Sequence, residues 1–376
     1  MKKVYFPSFN GIRFIAALSV IIYHIEQTKM IYKFDNYFDI PFMHIMGKLG
    51  VILFFVLSGF LITYLLMQER KETNTISIKD FYIRRILRIW PLYYLIVLAG
   101  LFIMPQMHFF DIPSWTDHMH SSFGLKVFLF MIFVPNVAQS LILPIPYIGQ
   151  CWSVGVEEQF YLIWPVLIKR VKDKVVNMLF GVIIFYLILR FSFIFLHNAF
   201  PTKNVFEILN NFWENYFNID CMAIGGIAAF ILFKDKQKII KILFSIYTQI
   251  IVYLLLILMF SFGVKLEYFA YEPYAILFAI MLLNLAGNKK SILNLEFKFL
   301  SYLGKISYGL YMYHQIAIVI TIKVLYNFGF NNMLINYIAG ALLSIVIATL
   351  SYELIESKFI KRKLKYSKIV SGDNAK

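Results

Sequence analysis

Arg13 and His24 stand eleven residues apart in the run FNGIRFIAALSVIIYHIEQ. On an α-helix that spacing is about three turns, so the two side chains share one face, about 16 Å apart along the axis. A permanent cation at one end of such a stripe, with a titratable imidazole three turns deeper, suits a ligand with an anionic head and a long reactive arm. Plainer uses exist: Arg13 as a charged anchor for an apolar helix, His24 as an interhelical hydrogen-bond partner. A second run, FYIRRILRIWPLYY, carries Arg85 and Arg88 three residues apart, neighbours on a helix surface, with Arg84 beside them. Two guanidiniums on one stripe form a fork for phosphate oxygens, although a surface anchor has the same composition. Pro91 is expected to kink or start that helix.

A third run, QCWSVGVEEQFYLIWP, crowds Trp152, Ser153, Glu157, Glu158, Gln159 and Tyr161 together. Glu157 and Tyr161 are four apart and face the same way. A carboxylate there can orient or deprotonate an imidazole or an acceptor hydroxyl. An interfacial aromatic belt explains the Trp and Tyr, but not two adjacent glutamates. In GKISYGLYMYHQ, Ser307, Tyr311 and His314 fall on one narrow helical face. Arg190 and Asp220 add a base and an acid to apolar runs, as a structural ion pair or as functional groups. His44, His108, His118, His120 and His197 fall in expected loops and read as solvated. Glu353 and Glu356 are expected to pair with the basic residues that follow them.

The elements that must position these residues are membrane helices. Of 376 residues 60% are hydrophobic and 15% charged, and the mean hydropathy is +0.70, which excludes a soluble globular domain. Apolar windows long enough to cross the hydrocarbon fall near 8–29, 48–68, 88–105, 156–168, 175–196, 215–233, 242–263, 266–286, 304–326 and 333–354. The expected fold is all-α: one polytopic membrane domain over 1–376, with about ten transmembrane helices and both termini cytoplasmic. A bundle over about 8–356 is followed by a short basic cytoplasmic tail, 357–376, of which the last ten or so residues read as disordered. The first apolar run follows Lys2 and Lys3, lacks a small-residue cleavage site and keeps Arg13 and His24, so it reads as a retained span.

A net charge of +15 admits either nucleic acid or lysine-flanked membrane spans, and its distribution decides for the spans. With ten crossings, 28 of the 36 Lys and Arg residues lie at cytoplasmic segments, as the positive-inside rule requires. Residues 125–143 are apolar but carry Pro135, Asn136 and Gln139. A single extra crossing there would invert every later loop, so they are expected as a re-entrant or interfacial piece of an outer loop over about 106–155. Two cysteines make no disulfide framework, and no spacing of ligands suggests a metal.

The chain resembles the acyltransferase-3 family, bacterial integral membrane acyltransferases that modify cell-surface carbohydrates. NGIRFIAALSVIIYH, GVILFFVLSGFLIT, YIRRILRIWPLYY, WSVGVEEQFYLIWP, NIDCMAIGG and ISYGLYMYHQ carry the likeness in that order, from about Phe9 to Glu356. The resemblance implies transfer of an acyl group, most often acetyl, from acyl-CoA to a hydroxyl of a cell-surface polysaccharide or lipid-linked glycan. It implies a multi-pass protein of the bacterial cytoplasmic membrane that meets lipids, acyl-CoA, a glycan acceptor and envelope glycan-synthesis partners, with neither metal nor nucleic acid. His24 matches the family's catalytic histidine and Arg13 its partner on the first span. Arg85 and Arg88 match the paired arginines associated with the donor. Trp152, Ser153 and Glu157 match the Trp-Ser…Glu motif, with Val154 in place of a more usual leucine, and Tyr311 and His314 match the late-span motif. The extra helix and esterase-like domain fused to some relatives are expected to be missing, so that any hand-over outside needs a partner.

On this reading Arg13, Arg85 and Arg88 hold the donor's phosphates, and the thioester reaches His24. His24 acts as base with Glu157 orienting it or the acceptor, by direct transfer or through acyl-His24. Trp152, Ser153, Tyr161, Tyr311 and His314 are the expected substrate-binding set. A transporter or flippase of a lipid-linked saccharide would use intramembrane Arg, His and Glu equally well, but the repeated halves common in transporters are not found.

Overall fold

A lipid environment leaves a backbone no water to bond, so each apolar run must satisfy its own peptide groups as a helix. The computed structural model describes residues 2–113, 121–142, 145–330 and 332–372, which leaves His118 and His120 outside the described residues. A short strand β1 (Lys2–Val4) precedes α1 (Phe9–Ile31), α2 (Pro41–Thr73) and α3 (Ile78–Leu98). Two short helices follow, α4 (Phe123–Met131) and α5 (Pro135–Leu141), and then α6 (Cys151–Val171), α7 (Val175–Ala199), α8 (Asn204–Tyr216) and α9 (Ile219–Phe233). The chain continues through α10 (Gln237–Leu243), α11 (Ile246–Ser261), α12 (Glu272–Gly287), α13 (Lys298–Lys305), α14 (Ser307–Asn327) and α15 (Met333–Ser351). It closes with α16 (Ser357–Lys363) and β2 (Ile369–Ser371).

The all-α polytopic architecture is as expected, with differences in detail. Among the described residues seven helical stretches are long and apolar enough to cross a membrane, or eight if α10 and α11, bent by 58°, form one span. The other two expected spans correspond to α6, which carries Glu157 and Glu158, and to α12, only 16 residues long. With 33 residues, α2 is about 50 Å long and outruns the hydrocarbon at its ends. The third helix starts at Ile78 rather than near 88, where the Ser77 hydroxyl accepts from the Asp80 N–H. It runs through Pro91, whose missing N–H forfeits only the bond to the Leu87 carbonyl, and it loosens into a π turn at Ala99–Ile103. Residues 125–142 break at 132–134 into α4 and α5, of nine and seven residues, each too short to cross.

The second helix is the hub. It packs against α1, α6, α9 and α12, and its closest approach is to α9. A Cβ on Gly59 would run into the Met222 carbonyl, and one on Gly225 into the Val56 carbonyl. Small residues that let backbones touch are how membrane helices gain van der Waals contact without a hydrophobic drive.

Residues 367–372 correct the expectation of a disordered tail, whose last residues, 373–376, lie outside the described residues. Ile369–Ser371 pairs in parallel with Lys2–Val4, in the register Lys2↔Ile369, Lys3↔Val370 and Val4↔Ser371. Val4 and Ile369 are buried, so the pairing satisfies backbone groups and covers apolar side chains that a free tail would leave in water. Glu353 and Glu356 form no ion pair with a described residue; Glu356 instead accepts from the Ser351 hydroxyl at 3.2 Å. His197 lies in the last turn of α7 rather than in a loop.

Candidate functional site

One cavity of about 170 Å³ gathers residues from most of the expected motifs. Asn10 and Arg13 enter it from α1, Phe54 and Ser58 from α2, and Arg85 and Arg88 from α3. Ser153, Glu157 and Tyr161 come from α6, Ser307 and Tyr311 from α14, and Lys363 and Ser371 from the C-terminal segment. Each helix contributes on one face, which is why residues spaced three, four or eight apart arrive together.

Three buried or half-buried cations outside this cavity are paired with acids. Lys29 pairs with Glu26 at 3.1 Å, Arg84 with Glu69 at 2.9 Å, and Arg190 with Glu272 at 3.0 Å. The acid facing Arg190 is thus Glu272, with Glu214 at 3.9 Å, rather than Asp220. Arg85, Arg88 and Lys363 pair with no carboxylate among the described residues. The Arg85 guanidinium lies 5.4 Å from the rings of Phe81 and Tyr161, and its Nε has no hydrogen-bond partner. Arg13 Nη1 donates to Asn10 Oδ1 at 2.9 Å. Glu157 is the one carboxylate lining the cavity among the described residues, and it accepts from Ser58 Oγ at 2.8 Å and from the Tyr161 hydroxyl at 3.0 Å. The described lining is therefore strongly positive.

At the Tyr311 end the lining is hydroxyl-rich. Tyr311 OH donates to the Gln150 carbonyl at 3.0 Å, and Ser153 Oγ lies 2.7 Å from the same phenol. One helical turn on, His314 Nδ1 is 2.6 Å from the Tyr311 carbonyl, and His314 Nε2 is 3.1 Å from His24 Nδ1. His24 Nδ1 is also 2.9 Å from the Val20 carbonyl. A carbonyl only accepts, so the network assigns a proton to both Nδ1 atoms. His314 Nε2 then accepts from His24, and His24 Nε2 is left with its lone pair and no partner among the described residues.

A family model described as an acyltransferase domain matches residues 6–353. The chain belongs to this acyltransferase family. It is similar to a protein of Staphylococcus aureus (strain COL) provisionally named an O-acetyltransferase, at 26% identity over 97% of this chain and 59% of that protein. A provisionally named peptidoglycan O-acetyltransferase of Bacillus subtilis (strain 168), YrhL, is 26% identical over 94% of this chain and 54% of that protein. The peptidoglycan O-acetyltransferase OatA of Listeria monocytogenes is 30% identical over 46% of this chain and 26% of its own. The chain thus spans no more than about three fifths of the length of these relatives. No solved structure matches it.

Membership in the family bears out the resemblance drawn from the motifs, and the structure shows how their residues are arranged. Arg13, Arg85, Arg88, Ser153, Glu157, Tyr161 and Tyr311 all line the cavity; His24, His314 and Trp152 do not. His24 connects to it through Tyr311, whose ring is 5.7 Å from that of His314, itself 4.8 Å from His24. Glu157 forms no hydrogen bond with His24: its partners are Ser58 and Tyr161, and the side chain hydrogen-bonded to His24 is His314. Trp152 belongs to a separate polar cluster, where Lys48 Nζ lies 4.2 Å over its ring and donates to Asn218 Oδ1 at 2.7 Å. Sequence reasoning missed Ser58, a hydroxyl inside the apolar run GVILFFVLSGFLIT, and Lys363, indistinguishable from six other basic residues of the tail. Among the described residues no three His, Cys, Asp or Glu side chains gather as a metal site would need.

Proposed function

We propose that this protein transfers an acyl group, acetyl in the first instance, from acyl-CoA to a hydroxyl of a bacterial cell-envelope glycan such as peptidoglycan. The observation that carries the reading is a cavity lined by Arg13, Arg85, Arg88 and Lys363, the last three pairing with no carboxylate among the described residues, whose opposite end leads to the His24–His314 pair. Buried unpaired charge is costly and is kept where a ligand of opposite charge is bound. CoA carries phosphates at one end and a reactive thioester at the end of a long flexible arm, and it is cytoplasmic. On this reading Arg13, Arg85 and Arg88 bind the phosphates and the arm runs past Ser58 and Ser153. The thioester carbonyl then comes to His24, reached past Tyr311.

His24 Nε2 takes the proton of the acceptor hydroxyl as its oxygen attacks the thioester carbonyl. The C–S bond breaks, CoA leaves as the thiolate, and the proton passes from the imidazole to the thiolate or to water. His314 holds His24 in the tautomer that leaves Nε2 basic. Two-step transfer through an acyl-imidazole at the same nitrogen uses the same geometry. Glu157, held by Ser58 and Tyr161, is the one anion among the described residues that faces the arginines, and it spaces them rather than touching His24. Tyr161 and Tyr311 supply ring and hydroxyl surface for the substrates.

The test is CoA release and glycan acetylation by the purified full-length protein, with acetyl-CoA and peptidoglycan fragments. His24→Ala is expected to lower turnover by at least about a hundredfold, the contribution of a positioned general base. Undiminished acetylation by this variant would remove His24 from the chemistry. A wild-type protein that neither binds acetyl-CoA nor releases CoA would instead favour translocation of a lipid-linked saccharide.

A further inference from the structure

The fourth cation of the cavity comes from the far end of the chain. Lys363 closes α16 and is half-buried, and its amine has no hydrogen-bond or ion-pair partner among the described residues. It lines the main cavity with Arg13, Arg85 and Arg88, and also an adjoining pocket of about 30 Å³ bounded by Arg84, Ser367 and Ile369. Like charges repel, and a lysine of a solvated tail would turn away from three arginines. This one is held among them. Arg84, neutralised by Glu69, donates to the Tyr366 carbonyl at 2.7 Å, and Ser367 Oγ donates to the Lys363 carbonyl at 3.2 Å. Beyond them β2 is paired to β1, so the segment is pinned on the far side of the lysine as well.

We propose that Lys363 is a phosphate ligand of the donor site, presented by the paired termini to the phosphate farthest from the thioester, the ribose 3′-phosphate of CoA. The proposal rests on the reading of the cavity as an acyl-CoA site. Its place follows from the lining. Ser153 and Tyr311 lead toward the histidines, whereas Lys363, Ser371 and Gly372 belong to the opposite, terminal side, where the second pocket continues past Lys363. An arm that brings the thioester to His24 leaves its nucleotide at that side.

Binding of CoA, dephospho-CoA (which lacks the 3′-phosphate) and pantetheine is measured with the full-length protein in nanodiscs of neutral and of anionic lipid. Lys363→Gln is expected to weaken CoA by about 10- to 100-fold, the worth of a charge-assisted hydrogen bond, while dephospho-CoA and pantetheine bind as they do to wild type. Lys363→Arg should keep CoA affinity within a few fold. Lys365→Gln, on the same segment but lining neither pocket, should leave it unchanged. Unaltered CoA binding by Lys363→Gln overturns the proposal alone. So does an equal loss for CoA and dephospho-CoA, or an effect confined to anionic discs, which would assign the amine to a lipid headgroup. A wild-type protein without affinity for CoA sinks the donor reading, and this proposal with it.

Discussion

His24 has one nitrogen committed to a backbone carbonyl and a second imidazole, and that commitment decides which nitrogen is left for chemistry. Replacing His314 by Ala frees the His24 ring to rotate or to change tautomer, yet His314 does not line the cavity. Turnover should fall by about tenfold or more, as for a lost orienting partner, while CoA affinity stays at the wild-type value. A variant that lost CoA affinity and kept turnover at saturation would place His314 in the donor site instead. At this scale the sequence was most informative within single helices. Arg85 with Arg88, and Glu157 with Tyr161, do share faces, because helical period fixes them. It was silent on partners across helices. His24 meets His314 from 290 positions away, and Ser58 meets Glu157 from 99. Of the two roles expected for Glu157, orienting His24 or orienting the acceptor, the first has no hydrogen bond behind it, because two residues that each face the interior need not face each other.

Helices that pack through backbone contact depend on glycines that hydropathy cannot single out. Gly225 lies in NIDCMAIGG and Gly59 in VLSGF, and both motifs are part of the family likeness. The structure gives them a packing reason, since each abuts a carbonyl of the facing helix. Gly225→Val must push α9 off α2 and is expected to cost about 1–3 kcal/mol or more, the range for overpacked interiors. That would appear as a lower unfolding temperature in detergent. Gly181→Val is the matched control, because nothing lies within 4 Å of a Cβ there; equal stability of the two variants would refute the close-approach account. The span centres were legible from apolar runs, but the helix ends were not. Hydropathy stops at the first charges, whereas α2 and α3 continue through theirs, the latter from a Ser77 cap.

For the molecule as a whole, the pairing of β1 with β2 puts both chain ends on one face of the bundle, and ends that meet on one face require an even number of crossings. Among the described residues seven helical stretches qualify as spans, and counting the bent pair as an eighth leaves α6 and α12 to cross together or not at all. The 21 residues of α6 make about 31 Å, enough for the hydrocarbon. Its glutamates bond Ser58, Tyr161 and the Trp90 indole, so they need not meet lipid. If α6 crosses, parity demands that α12 cross too, its 16 residues making about 24 Å and accommodated by local thinning of the bilayer. Ten crossings is therefore the prediction, its even parity resting on strand pairing rather than on the charge count. With ten crossings most basic residues fall on the side of the termini, so the positive-inside rule predicts that side to be cytoplasmic. Single cysteines at Lys203 and Lys368 decide between the two even counts, because native Cys151 and Cys221 are buried and give little background. With ten crossings an impermeant maleimide labels Lys203→Cys in intact cells, and Lys368→Cys only after permeabilisation. With eight, the segment after α7 returns to the side of the termini, and Lys203→Cys is protected as well.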